Sequence, residues 1–458
     1  MKDNILYKNY WSVKSILGIV FITLALFACS EDDFEGAPIT VNAIYLQDVN
    51  SEVEDREVTF VRLGQLIRIE GSGFRGLKRV FINGYQTGFN PAYLSDNSFL
   101  IRVSPDTPTI EASDDVRNKI TLANDSYETT IDFEIRSSAP SISSISHTMP
   151  NPGELITVYG SGLIEVTKVI FPGEVEVTEG ITFDEEDGEF FTVTMPEGVA
   201  ETGGSILIET ANGDAASPAY FNFKQGVILN FDGMGEMAQF GNTITSDQLE
   251  SAVIGEGNVS QGTYVPHRTA DIAAFPAGSN RLSEVFTTGE ENWRTQFTDF
   301  FPASTALEEL AFQFDIYVPN EWESGYLQIL LINNFNGGEW TGGTYNYVPW
   351  IVDGEREPFE TDGWITVTVP FTDFYLFEDD DEEFTFEDVL TLRETADYAN
   401  FGIFFNNTDV NLGNVTRGSS EVIFPAFETS VDVYTDNWRI VSLEVPTITD
   451  FPEEDLEN

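Results

Sequence analysis

The chain has 458 residues, 41% of them hydrophobic and 13% aromatic, enough to bury several cores and too apolar for a disordered polyelectrolyte. Its 77 acidic residues against 22 basic ones give a formal charge of −55, a field that excludes nucleic acid and disfavours sulfated or uronic glycans relative to neutral partners or calcium. The two histidines, His147 and His267, and the single cysteine, Cys29, exclude a three-histidine zinc site, a thiolate metal cluster and an internal disulfide.

Lys2, Lys8 and Lys14 precede the apolar run "ILGIVFITLALFA" (Ile16 to Ala28), which has the length of a signal-peptide core and is short for a transmembrane helix. Residues 1–28 therefore read as an export leader. Leu26, Ala28 and Cys29 resemble the lipobox of bacterial lipoproteins, although Phe27 departs from its usual small or β-branched residue. The resemblance implies that Cys29 is acylated, and multiple acyl chains give stable anchoring. "SEDD" (Ser30 to Asp33) resembles the acidic signal of lipoproteins displayed outside the outer membrane by Gram-negative glycan degraders. Residues 29–38 are then a lipidated acidic tether, implying an outer-membrane protein that faces the cell exterior and touches the membrane only through its lipid.

Two segments repeat one another: "LGQLIRIEGSGFRGLKRVFING" (Leu63 to Gly84) and "PGELITVYGSGLIEVTKVIFPG" (Pro152 to Gly173). Each alternates apolar and polar residues, passes through Gly-Ser-Gly and enters a second strand around a lysine. Gly71, Gly73, Gly160 and Gly162 are expected to supply the positive φ of tight turns. The pattern resembles the immunoglobulin-like IPT/TIG fold over 39–137 and 138–225, modules that usually act as spacers. His147 lies in the Ser/Pro-rich stretch "SSISHTMPNPG", which reads as a linker.

From residue 226 the strands become longer and more aromatic, as in "LAFQFDIYVP", "GYLQILLINNF", "GWITVTVPFTDF" and "DVYTDNWRIVSLEV", and "FEDVLTLRETA" is the one short helical stretch. Residues 226–445 read as a jelly-roll β-sandwich, followed by an acidic tail at 446–458. The fold expected is all-β: tandem immunoglobulin-like sandwiches, then a larger carbohydrate-binding sandwich. The stretch "YNYVPWIVDGEREPFETDGWITVTVPFTDF" (Tyr345 to Phe374) resembles the C-terminal domain of the surface glycan-binding proteins of polysaccharide-utilisation systems. That resemblance implies non-catalytic capture of a polysaccharide beside an outer-membrane glycan transporter and its surface lipoprotein neighbours.

Neutral sugars are held by aromatic rings against pyranose faces, and a ring contributes only if it is exposed beforehand. The glycine-rich stretch "NNFNGGEWTGGTYNYVPW" offers Trp340, Tyr345, Tyr347 and Trp350 as a platform, with Asn333, Asn334, Asn336 and Glu339 as polar partners. Trp293 and Arg294, whose fork suits vicinal hydroxyls, and Trp322 are further candidates. Trp364 and Trp438 read as core or sheet-face residues. No cofactor is required; a structural calcium between Asp232 and Asp436 would pin the first strand of the domain to the last. "EDDDEE" (Glu378 to Glu383) lacks EF-hand spacing and reads as a solvated loop. The expected ligand is a neutral β-glucan, laminarin or mixed-linkage glucan ahead of xyloglucan. A glycosidase with a carboxylate pair and an adhesion protein are the alternatives.

Overall fold

The computed structural model describes residues 36–47, 53, 55–238, 243–252, 262–332, 343–378, 383–416 and 419–450. The chain divides into two compact units, 1–138 and 139–458. Cys29, Trp340, Asn333, Asn334, Asn336, Glu339 and most of the 378–383 acidic run lie outside the described residues.

In the first unit, Thr40–Leu46, Leu66–Ser72, Ser98–Arg102 and Phe89–Leu94 form one four-stranded sheet, and Tyr85–Gln86, Arg79–Ile82, Lys119–Ala123 and Glu128–Asp132 form another. Alternate residues are buried, Ile67, Ile69, Phe99 and Ile101 from the first sheet and Val80, Ile82, Ile120 and Leu122 from the second, as period-two patterning requires. The second unit opens with the same arrangement: Ser141–Ile145, Leu155–Ser161, Phe190–Thr194 and Thr182–Phe183 in one sheet, Val175–Val177, Lys168–Phe171, Leu207–Thr210 and Gly213–Ala216 in the other.

The paired glycines do two different jobs. Gly73 and Gly162 have φ of +77° and +67°, the left-handed region expected of them. Gly71 and Gly160 do not. A Cβ on either would lie 1.9 Å from a carbonyl oxygen of the facing strand, Thr40 O and Ser141 O respectively, each beside a register shift in that strand. Here glycine is required by close backbone approach.

The C-terminal sandwich has two principal sheets. One, the junction sheet, runs Val227–Leu229, Tyr434–Ser442, Leu310–Tyr317, Ile365–Pro370, with Val265–Pro266 also paired to the Tyr434–Ser442 strand. The other, the cleft sheet, runs Ser279–Phe286, Gly402–Asn407, Tyr326–Leu330, Thr344–Tyr347. Phe312, Phe314, Trp438 and Ile440 from the junction sheet share a core with Ile329, Ile403 and Phe405 from the cleft sheet. The expected helix forms at Phe386–Thr395, where the Asp388 carboxylate accepts the Thr385 amide at 2.8 Å as its first-turn brace.

The outer face of the junction sheet is covered by the preceding immunoglobulin-like module. All eight residues of Leu310–Tyr317 are buried, including the polar Gln313 and Asp315. Arg439 donates to Asp315 at 3.0 Å and to the Thr148 hydroxyl at 2.7 Å; the Thr148 hydroxyl donates to Gln313 at 3.1 Å, and the Thr148 amide donates to Thr366 at 2.9 Å. Ala311 and Val441 complete the module's own apolar core. The segment around His147 is therefore no linker. His147 is buried, with Nε2 3.4 Å from Asp315, because the polar face of this sheet finds its partners there instead of in water.

Candidate functional site

Five tryptophans are described, and every one is buried. Trp350 is 1% exposed; its indole N–H donates to Gly325 O at 2.7 Å, and the Arg356 guanidinium lies 4.4 Å over its ring. Trp322 donates to Ser324 O at 2.9 Å and stacks on Phe405 at 5.8 Å. Trp293 packs at the core edge beneath Arg393, 3.8 Å away. Rings already buried have no further apolar face to remove from water, so Trp293, Trp322 and Trp350 brace the sandwich and are not platforms. Trp364 sits in a small cluster with Tyr264 and Tyr317, and Trp438 lies in the main core, as expected of them.

Arg294 is likewise spoken for. Its guanidinium makes four hydrogen bonds of 2.7–3.0 Å with Glu387 and Glu394, which fills the fork expected to meet sugar hydroxyls. Tyr347 meets Phe314 edge-on at 5.6 Å, and burial pushes its phenol well above the usual range. Asp232 is exposed and accepts the Thr263 amide at 2.8 Å, whereas Asp436 is fully buried and accepts the Asn437 amide at 2.7 Å. Among the described residues no three His, Cys, Asp or Glu side chains gather as a metal site. A calcium at Asp232 and Asp436 would have to rely on other oxygen ligands.

An open cleft of about 470 Å3 lies on the outer face of the cleft sheet, in the size range of ligand pockets. Gln328 and Asn346 face each other in register on neighbouring strands and form its floor, with Thr344 and Tyr345 beside them. The Gln328 carbonyl accepts from Asn406 at 3.0 Å, which fixes the orientation of that amide. Asp373, Tyr375 and Glu378 make one wall, and Gly413, Asn414 and Val415 make another.

The Tyr375 wall follows from local sequence. In "FTDFYLFE", Phe371, Phe374 and Phe377 recur every third residue and all enter the core, which turns Asp373, Tyr375 and Glu378 outward. The Tyr375 amide donates to Thr344 O at 2.8 Å, tying the loop to the cleft strand. Leu376 has φ of +89°, an uncommon conformation for a branched residue held here by the buried phenylalanines on either side. Tyr375 is left 47% exposed, the more exposed of the two tyrosine rings that line the cleft. Of the residues expected from sequence, the described structure brings only Tyr345 to this cleft. Tyr375, Gln328, Asn346, Asp373 and Asn414 were not anticipated; the signal for Tyr375 was a tyrosine out of phase with a three-residue phenylalanine repeat.

Among the described residues neither histidine pairs with both a serine hydroxyl and a carboxylate: His147 stands beside Glu154 and Asp315, and His267 lies in the domain core between the Ser283 and Thr435 hydroxyls, 3.0 Å from each. The cleft presents amides, hydroxyls, carboxylates and one open ring, a set that suits an uncharged polyol better than an anion.

Residues 221–442 match the family model of the surface glycan-binding protein B xyloglucan binding domain. A curated IPT/TIG domain-containing protein of Bacteroides ovatus is 25% identical over 316 residues, 68% of this chain and 54% of that protein, so the chain spans about half the length of the curated relative it matches. Among solved structures, a surface glycan-binding protein from Prevotella bryantii superposes with a TM-score of 0.61 at 18% identity, covering 89% of this chain and 99% of that one, a likeness of fold. A counterpart from a complex xyloglucan utilization locus in Bacteroides uniformis has a TM-score of 0.46 at 17% identity, covering 89% and 100%.

Proposed function

Since residues 221–442 belong to the surface glycan-binding protein B domain family, we propose that this chain captures a neutral β-glucan in the Tyr375 cleft without cleaving it. The observation that carries the reading is the pairing of one exposed ring, Tyr375, with two neighbouring amides, Gln328, held by Asn406, and Asn346, on the cleft sheet. The ring takes the apolar face of a pyranose and the amides take its equatorial hydroxyls. Trp340 belongs to the segment that enters the cleft strand at Thr344, and it is proposed as a second stacking ring. Xyloglucan moves ahead of laminarin and mixed-linkage glucan because the family description names it. Two carboxylates, Asp373 and Glu378, also line the cleft, and they are the reason hydrolysis is tested alongside binding.

The captured glycan would be passed to an outer-membrane transporter and its lipoprotein neighbours from a chain anchored through Cys29 at the cell exterior. Electrophoresis through gels containing each of the three glucans, with reducing ends measured in parallel, tests the function. Retardation without new ends supports capture; new ends would make the protein a glycosidase, and neither result leaves adhesion. Cys29→Ala should shift the protein from the membrane fraction to the supernatant; unchanged sedimentation would refute the anchor.

A further inference from the structure

In a chain with a formal charge of −55, one sheet face of the second immunoglobulin-like module carries no charge. Within the sheet of Ser141–Ile145, Leu155–Ser161, Phe190–Thr194 and Thr182–Phe183, the side chains of Ile156, Val158, Phe191 and Val193 enter the module core. The residues alternating with them point outward. Leu155 faces Thr194, Thr157 faces Thr192 and Tyr159 faces Phe190 in register. Ser144 extends the ring row beyond Tyr159, and Thr182 extends the middle row beyond Thr192. Leu155 is 66% exposed, Tyr159 43% and Phe190 39%. The two ring centroids are 6.4 Å apart and the planes are tilted by 54°, so the pair presents two ring faces instead of one flat plate.

The repeat shows that the fold does not require such a face. In the first module Arg68 and Glu70 stand at the positions of Thr157 and Tyr159, and Ser98 and Arg102 at those of Phe190 and Thr194. That face is ionic, with Arg68 2.6 Å from Asp55 and 3.4 Å from Glu70. Covering it would strip water from charges, whereas covering threonines and rings does not. Threonine hydroxyls both donate and accept, which matches a polyol. Protein-binding patches are instead depleted of serine and enriched in arginine and methionine, and neither arginine nor methionine occurs here. Glu154 and Glu189, at the entries of the two central strands, oppose an anionic ligand. We propose that this face is a second glycan-contact surface, on which a neutral polysaccharide lays a pyranose face against Tyr159 or Phe190 and exchanges hydrogen bonds with Thr157 and Thr192. The module would then hold ligand as well as act as a spacer. The proposal rests on the reading that this protein takes a neutral glycan.

The test uses the full chain with Tyr159→Glu and Phe190→Ser together, the facing pair that the first module already carries as Glu70 and Ser98. Retardation in gels of graded xyloglucan, laminarin or mixed-linkage glucan content gives the affinity, and a thermal melt checks the fold. The expected result is a loss of about fivefold or more in the affinity for the retarding glucan, with a cooperative melt retained. Adding Tyr375→Ala to the pair should remove the retardation that either change alone leaves. Should the pair fail to fold, Phe190→Ser by itself removes one ring, adds no charge and is read the same way. Wild-type retardation in the folded variant, while Tyr375→Ala is weakened, would overturn the face and leave the cleft standing. Weakening by the pair with none from Tyr375→Ala would support the face and overturn the cleft. Sedimentation is run alongside: wild-type self-association that the pair abolishes, with retardation unchanged, would assign the face to a second copy of the chain and overturn the proposal. A wild-type protein that none of the three glucans retards would bring down both readings together.

Discussion

Tyr375 and Trp350 are both aromatic residues in irregular segments, and they make opposite predictions. Tyr375→Ala should weaken glucan binding by about 1–3 kcal/mol, the range of an anchoring aromatic, with little change in melting temperature. Trp350→Ala should instead destabilise the domain by about 3–5 kcal/mol through the cavity it leaves, and the protein still folded should bind as before. Denaturant melts and calorimetry on the two variants separate these outcomes. Trp350 was not legible as a core residue because its burial depends on Gly325 O and Arg356, contacts that no local pattern reports. His267 adds a pH signature. Burial pushes it down to about 3 from an ordinary value near 6.5. The unfolded chain therefore takes up the proton first, so this group's contribution to stability is fully present above about pH 6.5 and declines as the pH falls toward 3. His267→Gln should flatten that part of the stability profile; an unchanged slope would mean another group carries it.

At the scale of elements, the immunoglobulin-like strands were legible because they obey period two with one wet face. Leu310–Tyr317 obeys period two as well, but its polar positions meet another module instead of solvent, and alternation cannot distinguish the two. The repeat of Gly-Ser-Gly was legible as a turn, while the reason for its first glycine was not: a facing carbonyl 1.9 Å from a would-be Cβ is a tertiary fact. The buried junction has its own test. Burial alone would raise Asp315, but Arg439, His147 and Thr366 overcome it and hold the carboxyl well below the usual range. A carboxyl so depressed stabilises the fold above the unfolded value of about 4 and loses that contribution as the pH falls below it. Asp315→Ala, which leaves Arg439 buried and unpaired, should cost about 3–5 kcal/mol. A loss within the range of an exposed pair would show that the module does not seal this sheet.

For the molecule as a whole, composition bears on the class of partner and leaves its position open. A charge of −55 points to an uncharged ligand, and the proposed cleft joins amides and a tyrosine ring to carboxylates that would repel anions. The fold was legible because duplicated strand patterns persist over long stretches. The proposed binding surface was not, because it is assembled from strands and loops distant in sequence, Gln328, Asn346, Tyr375 and Asn414, none of which signals ligand contact alone. The most direct measurement is calorimetric titration of xyloglucan oligosaccharide into the full chain, wild type and Tyr375→Ala, at low and moderate salt. Stacking of a neutral sugar in this cleft predicts wild-type binding that varies little with salt and an affinity loss of at least fivefold in the variant. Equal affinity in the two proteins would contradict the cleft, and a steep salt dependence would contradict the neutral ligand.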